Sequence, residues 1–456
     1  MIIKGGTAVM EKEERRADIR IREGVIVEIG EDISPEEGEE LIDARGCLVM
    51  PGGIDAHTHF DMPGPECRTS DDFFTGTRAA IMGGTTTILD FAEFQEREEM
   101  QDGLDLWHEK ADGRSYCDFG FHMTVPEWKE GTEEQIHSMI RQGITSFKAY
   151  TAYQDSIGVS DKELYPLMEC IRETGALLCV HCENGQVLEY LQKKYLKKNP
   201  YDIRNHSLSR PDLVEKEAVS RVIDFAAMTG ARVYIVHVST REAKQVIGRA
   251  KEQGLDIYGE TCPQYLLLDE SCYELPEFES AKYVLSPPLR KKDNQLPLWQ
   301  GLREGVLDTV STDHCSFFYK THKFLGKEDF TRIPNGIPGV EHRMELMLHY
   351  GEQQEMSPGM IARVTAENPA RIFGLYPRKG VIRVGSDGDI IIVKPDSPHM
   401  LSAGTQNQQV DYTPYEGFWV KKKIRTVVLR GQVVAEEGKL VQEKPGGRFL
   451  KREIIR

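Results

Sequence analysis

The chain has 456 residues, 39% of them hydrophobic, and carries 73 acidic against 57 basic side chains for a net charge of −16. A surface this acidic excludes nucleic acid and an anionic membrane as partners, because both select basic patches. No stretch approaches the roughly 18 consecutive apolar residues of a membrane span, and the charged run from Glu11 to Arg16 stands where a signal-peptide core would lie.

Residues 1–52 read as all-β. Ala17-Asp18-Ile19-Arg20-Ile21-Arg22 alternates with period two, Glu23-Gly24 offers a turn, and Val25 to Ile29 follows as a second strand. The run Glu11 to Arg16 reads as a solvated hairpin tip. Cys47-Leu48-Val49-Met50 is another short apolar run, closed by Pro51-Gly52-Gly53. From 53 to 375 short apolar runs alternate with amphipathic segments. Eight strands are predicted, at 53–57, 85–91, 118–124, 145–150, 177–181, 232–238, 256–261 and 309–312. Leu213, Val214, Ala218, Val219, Val222 and Ala226 recur at helical spacing. Eight β/α repeats imply an α/β fold built on a closed (β/α)8 TIM barrel, with reactive residues at the C-terminal strand ends.

After 375 the β texture returns. Gly385-Ser386-Asp387-Gly388-Asp389 turns into Ile390 to Val393, and Thr426 to Val434 reads as a hairpin around Arg430-Gly431. The two β-rich ends, 1–52 and 376–440, are expected to form one small β-sandwich domain beside the barrel of 53–375. Residues 441–456 are expected to be an exposed or subunit-packing tail. The nine cysteines are scattered, several in apolar runs (Cys47, Cys179, Cys182), and read as reduced core thiols of a cytoplasmic protein. No thiolate zinc site is expected.

The polar ends of the apolar runs carry the chemistry. In an extended segment, side chains at i and i+2 face the same way, so His57 and His59 can grip one ion from one strand end. His181 and His237 each close an apolar run. Either alone is equally a satisfied core histidine; a pair on successive strands, beside His57 and His59, points to metal. Asp313 ends the last predicted strand and reads either as an N-cap or as a ligand that also accepts a proton. Four histidines with a carboxylate suit Zn²⁺, and also Mn²⁺ or Co²⁺. Lys148 sits inside the apolar run Ser146-Phe147-Lys148-Ala149-Tyr150. Desolvation beside metal would leave it a neutral amine, able to add carbon dioxide and become a bridging carbamate; otherwise it reaches out to solvent.

Longer motifs carry a resemblance. Pro51-Gly52-Gly53-Ile54-Asp55-Ala56-His57-Thr58-His59, Phe147-Lys148-Ala149-Tyr150, Glu260-Thr261-Cys262-Pro263-Gln264-Tyr265-Leu266, Leu285-Ser286-Pro287-Pro288-Leu289-Arg290, Thr312-Asp313-His314-Cys315 and Asn335-Gly336-Ile337-Pro338-Gly339-Val340-Glu341 together resemble the cyclic amidohydrolases of the dihydropyrimidinase and D-hydantoinase family. That resemblance implies hydrolytic opening of a cyclic amide or imide, a hydantoin or a dihydropyrimidine, to the N-carbamoyl amino acid. It implies one metal on His57, His59 and Asp313, a second on His181 and His237, and carboxylated Lys148 (N6-carboxylysine) with a hydroxide bridging them. Asp313 would shuttle the proton, Tyr153 would donate to the oxyanion, and the backbone at Ser286 and Asn335 would hold the ring's amide edge. Loops 62–72 and 149–159 resemble those that wall the pocket for the ring substituent. Here they carry Met62 but also Gly64, Pro65, Glu66, Cys67 and Arg68, which suit a small substituent or a polar arm. Relatives in this family form homo-oligomers, tetramers or dimers. Other readings are an allantoinase, a dihydroorotase or a non-enzymatic scaffold of the same fold. Dihydroorotases carry an arginine where this chain has Asp61, and a scaffold would lack ligand positions that are filled here.

Overall fold

The computed structural model describes residues 1–64, 66–93, 99–153 and 156–455; Pro65, two positions of the 149–159 loop and the last residue of the tail lie outside them. All eight barrel strands form, as Gly53–Thr58, Thr85–Ala92, Asp118–Thr124, Ser146–Tyr150, Leu177–His181, Val233–Ile235, Ile257–Thr261 and Thr309–Val310, hydrogen-bonded side by side in that order. Every described residue of the first five is buried, as a parallel sheet covered on both faces requires. Helices fill the connections. Asp212–Thr229 buries Val214, Ala218, Val219, Val222 and Ala226 but leaves Leu213 exposed, because the apolar stripe is narrower than its sequence suggests.

The last strand is only two residues long, so the barrel closes by side chains more than by a ladder. His59 N–H donates to His314 O at 2.9 Å, next to a parallel bridge between Thr58 and His314. The Asp55 carboxylate accepts from Thr312 N–H at 3.0 Å and from the Thr312 hydroxyl at 2.6 Å. The buried Arg343 guanidinium donates across the same seam to Ile54 O and Val310 O, at 2.8 and 2.9 Å. These bonds place Asp313 beside His57 and His59.

A nine-stranded sheet unites the chain ends: Glu14–Arg22, Ile2–Val9, Leu48–Pro51, Ile390–Lys394, Lys423–Leu429 and Gln432–Glu436 lie adjacent in that order, around a core that includes Ile3, Ile19, Val49, Ile392 and Val428. Two expectations need correction. The charged run is not all tip, since Glu14 to Arg16 pair with Ile2–Val9. The tail is not free: Leu450 is buried and donates its N–H to Phe119 O at 2.7 Å, and buried Arg452 reaches Ser146 Oγ at 2.7 Å. Residues 447–452 thus cover the base of their own barrel. A basic, glycine-containing stretch hides this, because its two anchors are single residues in a polar context.

Candidate metal centre and active site

Strand geometry brings the predicted ligands together. His57 Nε2 lies 3.1 Å and His59 Nε2 3.3 Å from the same Asp313 oxygen, and the three residues offer ligand atoms mutually within 4.8 Å. Lys148 points its amine at His57 Nε2, 3.2 Å away. On the far side His181 Nδ1 faces His237 Nε2 at 2.9 Å. These donors fit divalent ions: two imidazoles are backed by carboxylates on the nitrogen that faces away from the cluster. Glu260 holds His57 Nδ1 at 2.6 Å, and Glu183 holds His181 Nε2 at 2.9 Å. Such partners fix the ring and raise its basicity as a ligand.

The electrostatics agree. Burial lowers the Lys148 amine, against the pull of Asp313, Cys179, Glu260 and Glu93. Burial alone would raise the Asp313 carboxyl, but the neighbouring His57 and His59 imidazoles hold it well below the usual carboxylate range. Burial likewise pushes Glu183 up, but the Arg210 guanidinium, the His181 imidazole and Arg290 together hold it down at about 2. Asp313 (φ 53°), His237 (φ 40°) and Tyr153 (φ 61°) all adopt left-handed backbone. That is uncommon for residues other than glycine and clusters at functional sites.

A cavity of about 1270 Å³ opens over the cluster, and Tyr153, Ser286 and Asn335 all line it. Burial raises the Tyr153 phenol, and the Arg210 guanidinium pulls it back. A residue not singled out in the sequence joins the Ser286 and Asn335 segments. The fully buried Lys323 amine donates to Val284 O, Pro334 O and Gly336 O at 2.8, 2.6 and 2.7 Å. Gly336 has φ 148°, and a Cβ there would meet Cys315 O at 2.5 Å, so only glycine lets the segment turn. Met62, Gly64, Glu66, Cys67 and Arg68 line the same cavity.

Other candidates fall outside the cluster. His314 turns away: its Nε2 meets Asp71 at 3.1 Å while its Nδ1 accepts from Gly339 and Val340 N–H. Cys179 and Cys182 do have Cys-x-x-Cys spacing around His181, yet they enter separate core clusters, and burial pushes the Cys179 thiol up to about 12. Glu260, Glu183 and Lys323 carry no spacing signal in the sequence.

Comparison with known proteins adds independent findings. The amidohydrolase family model matches residues 48–434. The D-hydantoinase of Geobacillus stearothermophilus is 42% identical over 453 residues, spanning 99% of this chain and 96% of the relative. Among solved structures, dihydropyrimidinase from Brevibacillus agri superposes with a TM-score of 0.98 at 42% identity, covering 100% of this chain and 99% of the other. D-hydantoinase from Bacillus sp. AR9 does so with a TM-score of 0.98 at 44% identity, covering 100% and 99%.

Proposed function

Because this chain belongs to the amidohydrolase family, we propose a site chemistry in which its own residues hold two divalent ions and open a cyclic ureide ring. The chain is a hydrolase of cyclic-amide C–N bonds, of the hydantoinase and dihydropyrimidinase kind. The observation that carries the mechanism is the convergence of His57, His59, Lys148, His181, His237 and Asp313 beneath one cavity. In this proposal His57, His59 and Asp313 hold one ion, and His181 and His237 the other. Zn²⁺ is the first choice, with Mn²⁺ and Co²⁺ as alternatives. When bound, the pair supplies the Lewis acidity that acidifies a water and polarises the ring carbonyl.

The rest falls to side chains and backbone. The Lys148 amine, whose hold on its proton burial weakens, would in its free-base form attack carbon dioxide and shed a proton to become an anionic carbamate. Asp313, ionised at the start of the cycle, takes the proton of the attacking water and, protonated in that step, delivers it to the departing ring nitrogen and returns to the carboxylate. The Tyr153 phenol donates to the oxyanion as the carbonyl carbon becomes tetrahedral. Backbone groups at Ser286 and Asn335 hold the amide edge of the ring, in segments that Lys323 ties together. Water adds across the C–N bond, and an N-carbamoyl amino acid leaves. A cytoplasmic location, supported by nine free cysteines, and a homotetramer or dimer are parts of the same proposal. No helix of the described residues is long and apolar enough to cross a membrane.

The test is ring opening by protein grown with metal and bicarbonate, offered dihydrouracil, hydantoin, phenylhydantoin, allantoin and dihydroorotate. Dihydrouracil or a hydantoin is expected to open fastest. The Lys148→Ala variant should lose metal and turnover together, and full metal loading with turnover in that variant would remove Lys148 from the bridging role. Dihydroorotate should be the poorest substrate, because Asp61 stands where dihydroorotases carry an arginine and already ties up Arg68 and Lys110. Metal-loaded wild type that opens none of these rings would overturn the substrate assignment.

A further inference from the structure

Glu93 follows the second barrel strand and lines the cavity beside His59, yet no step above uses it. Its Oε1 accepts from the Tyr150 hydroxyl at 3.4 Å and lies 3.9 Å from His59 Nδ1. Its Oε2 takes no hydrogen bond from any described residue, and the side chain keeps 15% of its surface exposed. A carboxylate this enclosed ordinarily has a cation beside it.

The Lys148 amine pulls on Glu93 across the cavity, but in the ring-opening reading it becomes an anionic carbamate, and the other cations of this wall are committed elsewhere. Arg68 and Lys110 pair with Asp61, Arg114 pairs with Asp72, and Arg332 pairs with Glu66. Among the described lining residues of that wall, the charge left without a partner is therefore negative, and Glu93 is its most enclosed member.

We propose that Glu93 reads the substituent on the substrate ring, so that the arm entering this part of the cavity carries a hydrogen-bond donor: a hydroxyl, a carboxamide or ureido N–H, or an ammonium. This rests on the ring-opening reading and narrows its substrate class. An alkyl or aryl arm would strip water from Oε2 and return nothing. A carboxylate arm would add like-charge repulsion. A donor arm makes a charge-assisted hydrogen bond in its place. The wall thus decides for the polar arm that loops 62–72 and 149–159 left open.

The test compares near-isosteric substituents within one protein, assayed at one alkaline pH of about 8, well above the ordinary carboxylate range. Wild type should open carbamoylethyl hydantoin with a kcat/KM about tenfold or more above that for isobutyl hydantoin, and further above carboxyethyl hydantoin. Glu93→Leu should bring the first ratio to one or below, and Glu93→Gln should retain part of it. Metal content of each variant is measured alongside. Wild type that opens unsubstituted hydantoin but shows no donor preference overturns this inference alone. So does a Glu93→Leu variant that loses metal yet keeps the ratio in its residual turnover, since the carboxylate would then serve His59. Failure to open any ring overturns the ring-opening reading, and this inference falls with it.

Discussion

Two buried lysines at opposite ends of the barrel have opposite surroundings. At the base, Lys379 meets Asp118, Asp387 and Asp389 at 2.6, 2.9 and 2.6 Å. At the rim, Lys148 meets an imidazole nitrogen at 3.2 Å and lies 4.1 Å from the centre of the Phe91 ring, with no carboxylate in ion-pair contact among the described residues. Burial pushes both amines down, but three carboxylates reverse the shift at Lys379 and none does so fully at Lys148. Both ends also gather three potential metal ligands, His57, His59 and Asp313 at the rim and three aspartates at the base. The base trio is already filled by its lysine. A cluster of carboxylates is therefore a site only where its cation is missing, and a buried lysine is a reagent only where its anion is missing.

The largest effect should separate the two ends outright. Lys148→Met should abolish ring opening, yet in metal-free protein it should unfold at no lower a denaturant concentration than metal-free wild type, because the amine it removes has no counter-ion. Lys379→Met should keep its metal and turnover in the folded fraction but lose about 3–5 kcal/mol of stability, since it strands buried carboxylates. Denaturant unfolding of both variants checks the contrast. A stable Lys379→Met protein would mean that the base cluster is no ion pair. The raised Lys379 gives the sign with pH: its contribution is complete below the unfolded-state value of about 10.4 and fades as pH climbs through the higher folded value. The stability gap between wild type and Lys379→Met should thus be flat through neutral pH and narrow only in strong alkali.

A third buried lysine grades the comparison. Lys323 has three carbonyls rather than carboxylates or imidazoles, and burial lowers it to about 7. Lys323→Met should keep its metal and raise KM for dihydrouracil about tenfold, with kcat changed less, because the segments holding the ring edge come loose while the centre stays intact. Parallel losses of metal and kcat would make it a structural residue of the whole rim instead.

What the sequence disclosed follows the range of each signal. Period-two and period-3.6 patterns are local, so all eight barrel strands and the His57, His59 pair were legible from neighbouring residues. The strand Ile2–Val9 was not, because Gly5 and Gly6 interrupt its alternation where the pairing with Glu14–Arg22 shifts register. The carboxylates behind the histidines were hidden by distance along the chain: Glu260 lies 203 residues from His57. Lys148 drew notice because a charge inside an apolar run is locally anomalous. Lys323 and Glu93 stand in mixed contexts where a charged residue is ordinary, and only the fold reveals what surrounds them.

The smallest effect lies on the wet side of the rim and sharpens what an unpaired charge does there. Arg332 Nε donates to Glu66 Oε1 at 3.0 Å, with about half of the guanidinium side chain exposed at 52%. A pair so open to water contributes little to stability, so Arg332→Ala should leave the thermal midpoint unchanged within error. It does, however, free a second carboxylate on the wall where Glu93 stands unpaired. The preference for aminobutyl over butyl hydantoin should therefore rise about twofold at low ionic strength, and fall back in about 1 M salt, where screening acts over roughly 3 Å. The Glu93 contribution, being more enclosed, should persist at that salt. A gain that survives high salt would mean that Glu66 contacts the arm directly, and no gain at all would confine recognition of the arm to Glu93.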